Sequence, residues 1–366
     1  VSLDEHRKRI DEIDTELIRL LNERIRSALH IGSLKSKSKQ EVYTPARERE
    51  VLERVRSLNE GPIRDESLQA IYREIMSAAI SLERDTKIAY LGPEGTYTHQ
   101  AAKTRFGSSV TYVPETAVAD VFTAVQKRVA DYGVVPIENS TEGSVNPTLD
   151  ELTETPLKIY SEVCLPIEHH LLSRVKLDEV QTVYSHPQVF GQCRHWLARE
   201  MPTAAQVPTA STALAAARAS TEEGCAAIAG RLAAELHGLP VIAEQIQDEA
   251  GNATRFFVIG HSVGQRTGRD KTSVVFRVHH KVGALYDALG SFRSSGLNMS
   301  KIESRPSGQK AWEYWFFVDI EGHSEEKPVK EALAELGSHC LTLTVLGSYP
   351  SSADPVDVQG TDQTME

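Results

Sequence analysis

From residue 1 to about residue 86, apolar side chains recur at helical spacing among dense charges, and the stretch is nearly free of glycine. Ile10, Ile13, Leu17, Leu20, Leu21, Ala28 and Ile31 fall on one face at ~100° per residue, and Arg24 and Lys35 lie within that same stripe. Cations on a core-facing stripe call for a chemical reason, although a single long side chain can snorkel out. Pro45 opens a second predicted helix, as proline does at a first helical turn, and a third runs from about Ser67 to Glu83. A first helix of ~30 residues is ~45 Å long, more than two shorter partners can cover. The uncovered length predicts pairing with a second copy into an intertwined helical dimer.

The pattern changes at Lys87. Short apolar runs now lead into glycine or polar clusters and then into helices. Lys87–Leu91 runs into Gly92-Pro93-Glu94-Gly95-Thr96-Tyr97-Thr98, with a helix from near His99, and Val134–Ile137 runs into Glu138-Asn139-Ser140-Thr141. Val183-Tyr184 precedes Ser185-His186-Pro187-Gln188, Thr209–Thr212 precedes an alanine-rich helix, and Ala226–Ala229 precedes another. This alternation predicts an α/β segment whose ligands bind beyond the carboxyl ends of the strands. With two glycines and an intervening proline, the first turn fails the dinucleotide fingerprint. From Asp270 the order strand, helix, strand, strand, helix, strand fills about 80 residues. Its predicted members are Asp270–Val278, a helix from Gly283 to Gly296, a strand from Leu297, Trp312–Val318, Val329–Leu336 and Leu341–Leu346. A polar tail after Tyr349-Pro350 reads as disordered.

At 366 residues the chain exceeds one ordinary core. The expected division is 1–86, 87–262 and 270–350, followed by the tail 351–366. A formal net charge of -11 without a long basic run argues against nucleic acid as partner. Cys164, Cys193, Cys225 and Cys340 are widely spaced and show no zinc spacing, which predicts reduced thiols and no metal. No apolar leader opens the sequence and no run of 18 apolar residues occurs, so a cytoplasmic protein without a membrane partner is expected.

The stretch Gly251-Asn252-Ala253-Thr254-Arg255-Phe256 carries the most pointed chemistry. A turn at Gly251-Asn252 feeds the buried strand Phe256–Ile259, leaving Thr254 and Arg255 at its mouth. One hydroxyl can donate a hydrogen bond there, and one guanidinium can grip a carboxylate. His186 alone is weak evidence for a base, and Ser140 lacks a nucleophile elbow and sequence partners for a triad.

The first segment resembles the all-helical chorismate mutase domain over residues 3 to 84. The resemblance implies that Arg7, Arg24, Lys35, Arg47 and Glu48 bind the two carboxylates, ether oxygen and ring hydroxyl of chorismate, with Arg7 reaching the partner subunit's site. A pericyclic rearrangement needs no nucleophile, only a clamp on the reactive conformer and cationic hydrogen bonds to the breaking ether. Thr44, Ala79 and Glu83 depart from the enterobacterial pattern, which has Asp, Ser and Gln there. Because a carboxyl donates only when protonated, Glu83 implies a mutase rate that falls as pH rises.

GPEGTYT (92–98), PIENSTEGSV (136–145), SHPQ (185–188), AGRLAAELHGL (229–239) and NATRFFVIG (252–260) together resemble prephenate dehydratase. That family implies two α/β subdomains like those of periplasmic binding proteins. Thr254 would assist departure of the ring hydroxyl, while Asn139, Ser140, Thr141, Ser185, His186, Gln188, Ser211, Thr212, Arg255 and Phe256 would hold prephenate without any cofactor. The third segment resembles the ACT domain, α+β and ferredoxin-like, with GAL (283–285) and ESRP (303–306) as in phenylalanine-inhibited dehydratases. Gly283, Ala284, Leu285, Asn298, Glu303, Ser304, Arg305 and Pro306 would form a phenylalanine site between two such domains. The implied protein is a homodimer, or a higher assembly, catalysing two steps of phenylalanine biosynthesis. The alternative is a non-catalytic sensor built from the same binding folds, and a serine hydrolase using Ser140 ranks well below both.

Overall fold

The computed structural model describes residues 2–37, 43–307 and 313–352, apart from the side chains of Lys35 to Lys37. It contains two compact units: residues 1–87 with 105–111, and 88–104 with 112–366.

The first unit is helical. Helices α1 (Leu3–Lys37), α2 (Pro45–Ser57) and α3 (Asp65–Glu83) follow the predicted order, with Pro45 in the first turn of α2. Helices α1 and α2 both pack against α3, whereas the apolar stripe of α1 stays open: Ile10, Ile13, Leu17 and Ile31 are all exposed, Leu17 by 50%. Residues 105–111 complete the unit. Phe106 meets the Tyr43 ring at 4.9 Å, Ser109 N–H donates to Ser77 Oγ at 3.0 Å, and Ser108 N–H donates to a Glu74 carboxylate oxygen at 3.0 Å.

The second unit begins as one α/β lobe. Strand β1 (Lys87–Leu91) leads through α4 (Tyr97–Phe106), β2 (Thr111–Glu115) and α5 (Val118–Gln126) to β3 (Tyr132–Asn139). A short β4 (Gly143–Ser144), α6 (Asn146–Glu154) and β5 (Lys158–Pro166) complete its forward course. The chain then builds a second lobe. Its members are β6 (His170–Ser173), β7 (Thr182–Ser185), α7 (Pro187–Gln192), α8 (Arg194–Glu200), β8 (Ala205–Pro208), α9 (Thr212–Ala219), β9 (Cys225–Ala229), α10 (Arg231–His237) and β10 (Val241–Ala243). Strand β11 (Ala253–Gly260) returns to the first sheet between β3 and β5. The sheet orders are β2-β1-β3-β11-β5, with β4 on β3, and β10-β6-β9-β7-β8.

The last part is β12 (Asp270–Val278), α11 (Ala284–Ser294), β13 (Met299–Pro306), β14 (Tyr314–Glu321), α12 (Lys327–His339) and β15 (Cys340–Pro350). Its antiparallel sheet runs β13-β14-β12-β15, with Ala288 and Phe292 of α11 buried as the periodicity predicts. Trp312 lies outside the described residues, and the final strand runs past the predicted Leu346 to Pro350.

This sheet shares a hydrophobic core with the first lobe. Val275, Phe317, Leu346 and Tyr349 pack with Ile137, Leu149, Ile159 and Phe257. Lys158 Nζ donates to the Val345 carbonyl at 2.7 Å, and a Cβ at Gly347 would overlap the backbone carbonyl of Ile159. The expected polar tail starts later than its composition suggests. Ser351 N–H donates to the Arg269 carbonyl at 2.9 Å and Ser352 N–H to a Glu162 carboxylate oxygen at 2.8 Å, while residues 353–366 lie outside the described residues.

Candidate active sites

In the helical unit two of the expected mutase residues, Arg24 and Glu83, lie where α1 and α3 meet. The Arg24 guanidinium stands 5.9 Å over the Tyr72 ring of α3, and the Glu83 carboxyl lies against the α-carbon of Gly32 on α1. Glu48, only 7% exposed, accepts from Tyr43 OH at 2.8 Å and pairs with Arg105 Nη2 at 3.3 Å. Two donors on a buried carboxylate hold it in place. Arg47 pairs with Glu50 at 2.5 Å and Arg7 with Asp4 at 3.6 Å, both on the exposed surface of one chain. The side chain of Lys35 lies outside the described residues. Tyr43 and Arg105 were not singled out from sequence. Tyr43 could have been, as an aromatic just ahead of Glu48, but Arg105 belongs to a distant segment with no informative spacing.

The α/β lobes form the second site by topology. Strands β1 and β3 are parallel and β11 runs antiparallel to β3, so the ends at Leu91 and Asn139 and the start at Ala253 share one sheet edge. In the other lobe β7, β8 and β9 are parallel, which sets Ser185, Pro208 and Ala229 along one edge. The two edges face each other. A Cβ built on Gly95, whose φ is +85°, would lie 3.3 Å from Ala233 and 3.5 Å from Ala213, and Tyr97 OH donates to the Glu168 carbonyl at 2.8 Å.

Asn139 and Thr254 are cross-strand partners. Asn139 Nδ2 donates to Thr254 Oγ1 and to Asn252 Oδ1, each at 2.8 Å. Its Oδ1 accepts the backbone N–H groups of Thr141 and Glu142, each at 3.0 Å. Backbone N–H groups can only donate, so they fix which way the amide points. The Thr254 oxygen therefore receives a hydrogen bond and its own proton is left to donate elsewhere. Ser140 Oγ accepts the Ala253 N–H at 3.0 Å, which ties the two loops.

Ser185, His186 and Ser211, also expected to bind substrate, lie at or just after the ends of strands β7 and β8. Ser211 caps α9 by accepting from Leu214 N–H at 3.1 Å, leaving its hydroxyl proton and the first amide of Thr212 at the helix start. His186 caps α7 by accepting from Gln188 N–H at 3.4 Å. Ser185 donates to the Ile228 carbonyl at 2.8 Å inside the lobe. Phe256 is 1% exposed and belongs to the core.

Arg255 departs most from expectation. Its side chain is 13% exposed, with Nε 2.6 Å from Glu162 Oε2, Nη1 2.6 Å from Asp319 Oδ2 and Nη2 donating to Tyr349 OH at 3.0 Å. The predicted grip on a substrate carboxylate is in this structure a grip on two protein carboxylates. Sequence spacing gave no sign of Glu162, Asp319 and Tyr349, which come from three separate strands. The expected effector residues also divide. Gly283 adopts φ +80° and caps α11, Ala284 is buried, and Asn298 Nδ2 donates to Glu321 at 2.9 Å. Glu303 accepts from Ser144 Oγ at 2.7 Å and Arg305 makes two contacts with Asp150, both in the first lobe. Ser304 and Pro306 pair in register with Phe316 and Tyr314. Among the described residues no cluster of His, Cys, Asp or Glu could hold a metal, and no helix is long and apolar enough to cross a membrane.

A cation-bearing helical groove, a two-lobed α/β cleft and a ferredoxin-like sheet together define a small-molecule enzyme with two active centres and an ACT domain. Family models agree in order: chorismate mutase type II over residues 6–84, prephenate dehydratase over 88–263 and the ACT domain over 272–338. A bifunctional chorismate mutase/prephenate dehydratase of Aquifex aeolicus is 48% identical over 355 residues, covering 96% of this chain and 98% of its own. The chain belongs to the bifunctional chorismate mutase/prephenate dehydratase family. Among solved structures, the prephenate dehydratase of Arthrobacter aurescens in complex with L-Phe matches with a TM-score of 0.68 and 36% identity, over 73% of this chain and 90% of that one. A protein described as a novel type of quorum quenching acylase matches at TM-score 0.68 and 30% identity, over 74% and 99%.

Proposed function

We propose that the groove of the helical unit rearranges chorismate to prephenate and that the two-lobed cleft converts prephenate to phenylpyruvate, with L-phenylalanine acting through the ACT domain. In the groove, Arg24, Lys35 and Arg47 hold the dianion, Glu48 takes the ring hydroxyl, and Glu83 donates to the ether oxygen. Arg7 completes the site of a second copy, whose helix also covers the open stripe of α1. The working unit is thus a cytoplasmic homodimer.

In the cleft, the observation that carries the reading is the Thr254 hydroxyl, oriented by Asn139 with its proton free to donate. Placed against the ring hydroxyl of prephenate, that proton helps the C–O bond break with its electron pair leaving in water. The electrons of the bond to the departing carboxylate then complete the aromatic ring, and carbon dioxide leaves. A positioned donor and a carboxylate held at the start of α9 by Ser211 and Thr212 suffice for this chemistry.

The test follows chorismate consumed by the purified protein without added cofactor, with prephenate and phenylpyruvate read separately and phenylalanine present or absent. Phenylpyruvate formation that phenylalanine suppresses is expected. Ligand binding without turnover at either centre would identify a sensor instead.

A further inference from the structure

The register of β3 and β11 sorts four neighbouring residues onto two faces of one sheet. Thr254 is opposite Asn139, and Arg255 is opposite Glu138. Because successive side chains on a strand point to opposite faces, the first pair meets the cleft and the second meets the ACT sheet. There, Lys301 Nζ of β13 lies 2.8 Å from Glu138 Oε2, and Asp319 of β14 holds Arg255 Nη1. Ser273 donates to Asp319 Oδ1 at 2.5 Å and accepts from Tyr349 OH at 2.6 Å. Lys271 of β12 lies 3.2 Å from Glu162 Oε1. Three cations, Arg255, Lys271 and Lys301, thus stand among three carboxylates, Glu138, Glu162 and Asp319, all drawn from strands of the two sheets.

A guanidinium with each of its three nitrogens engaged cannot turn to a substrate without giving up its ion pairs to two buried carboxylates, which is an unfavourable exchange. It can hold the backbone of the residue beside it. Small shifts of such a network translate directly into the position of Thr254, whose neighbour it anchors.

We propose that Arg255 is a positioning residue rather than a substrate clamp: it sets the Thr254 hydroxyl through Glu162 and, through Asp319 and Tyr349, makes that setting answer to the ACT sheet. This inference rests on the dehydratase and phenylalanine reading above and names the residues that would join the two.

Three variants of the full-length protein test it. Arg255→Lys keeps the charge but cannot span three partners, so dehydratase kcat falls by ~10-fold or more while KM stays within ~3-fold. A clamp on substrate would instead raise KM with kcat kept, and that result would overturn the proposal. Asp319→Asn is isosteric and is expected to retain phenylalanine binding by calorimetry, while inhibition at saturating phenylalanine weakens by ~5-fold or more. Inhibition equal to the parent's would sink the link to the ACT sheet, as would loss of phenylalanine binding together with inhibition. Tyr349→Phe removes one hydroxyl from the same network and should act in the same direction more weakly; it decides the matter if the Asn variant does not fold. A parent enzyme that turns over prephenate but neither binds nor answers to phenylalanine would refute the regulatory reading itself, a failure visible before any variant is made.

Discussion

Glu83 on α3 lies directly over Gly32 on α1, so closely that a methyl group at position 32 would occupy the place of its carboxyl carbon. The glycine is therefore the reason a long acidic side chain can enter the groove between these helices. Replacing Gly32 by alanine should displace the carboxyl and lower mutase kcat by up to ~100-fold, as small misplacements of a reacting geometry do. Dehydratase activity of the same preparation, assayed on prephenate, should stay at the parental level.

Glu83→Gln bears on the proton rather than the position. An amide donates at every pH, whereas a carboxyl donates only when protonated. The parental mutase rate should decline from mildly acid to mildly alkaline pH, and the variant's profile should be flatter. Identical profiles would remove Glu83 from the role of donor.

For the dehydratase centre, Asn139→Asp is the informative change. The carboxylate would keep both backbone N–H bonds from Thr141 and Glu142 but lose the donor facing Thr254. Thr254 would then turn its proton to the new acceptor. Prephenate turnover should fall by ~100-fold, the scale for losing one oriented donor in a site, with melting temperature little changed.

Three buried histidines predict how stability depends on pH. Burial holds His99, His169 and His170 below the ordinary imidazole range. His169 lies 2.8 Å from Tyr97 OH and 2.7 Å from Gln192 Oε1, and His99 accepts Gly95 N–H at 3.2 Å while stacked 4.6 Å from the Tyr90 ring. Groups with lowered folded pKa values take up protons first in the unfolded chain. Stability is therefore complete above ~6.5 and declines as pH falls below it. The denaturant midpoint should be lower at pH 5.5 than at 7.5, and His169→Gln should reduce that difference.

The exposed stripe of α1 gives a further test. Leu17→Glu should leave a monomer by sedimentation and remove mutase activity, since the site would lack the second copy's Arg7. A variant that still sediments as a dimer with normal mutase turnover would refute the intertwined arrangement.

Helices α1 to α3 and the βαββαβ order were legible because local periodicity and turn residues specify them within short windows. The placement of Asn139 at the end of one strand and of Thr254 at the start of another was legible, because apolar runs there meet polar turns. The partners of Arg255 were not legible, for the opposite reason. Its chemistry suits any carboxylate, and only the folded chain shows that Glu162 and Asp319, 93 and 64 positions away, occupy it. Phe256 was named as a site residue from its place beside Thr254 and Arg255, but its side chain is buried in the core. Arg105 on Glu48 had no precursor in sequence pattern, since its segment packs with helices far from it along the chain.

The absence of a side chain at Gly347 lets the last strand cross Ile159 at backbone contact, and the residues around that crossing serve the fold and the proposed regulation together. Lineages under pressure to overproduce aromatic products would then have few cheap routes to escape feedback here. A substitution that loosens Asp319 or Tyr349 also loosens the common core. Desensitised enzymes should arise by changes that spare that crossing, at the effector pocket itself, and those that strike it should carry a cost in thermal tolerance.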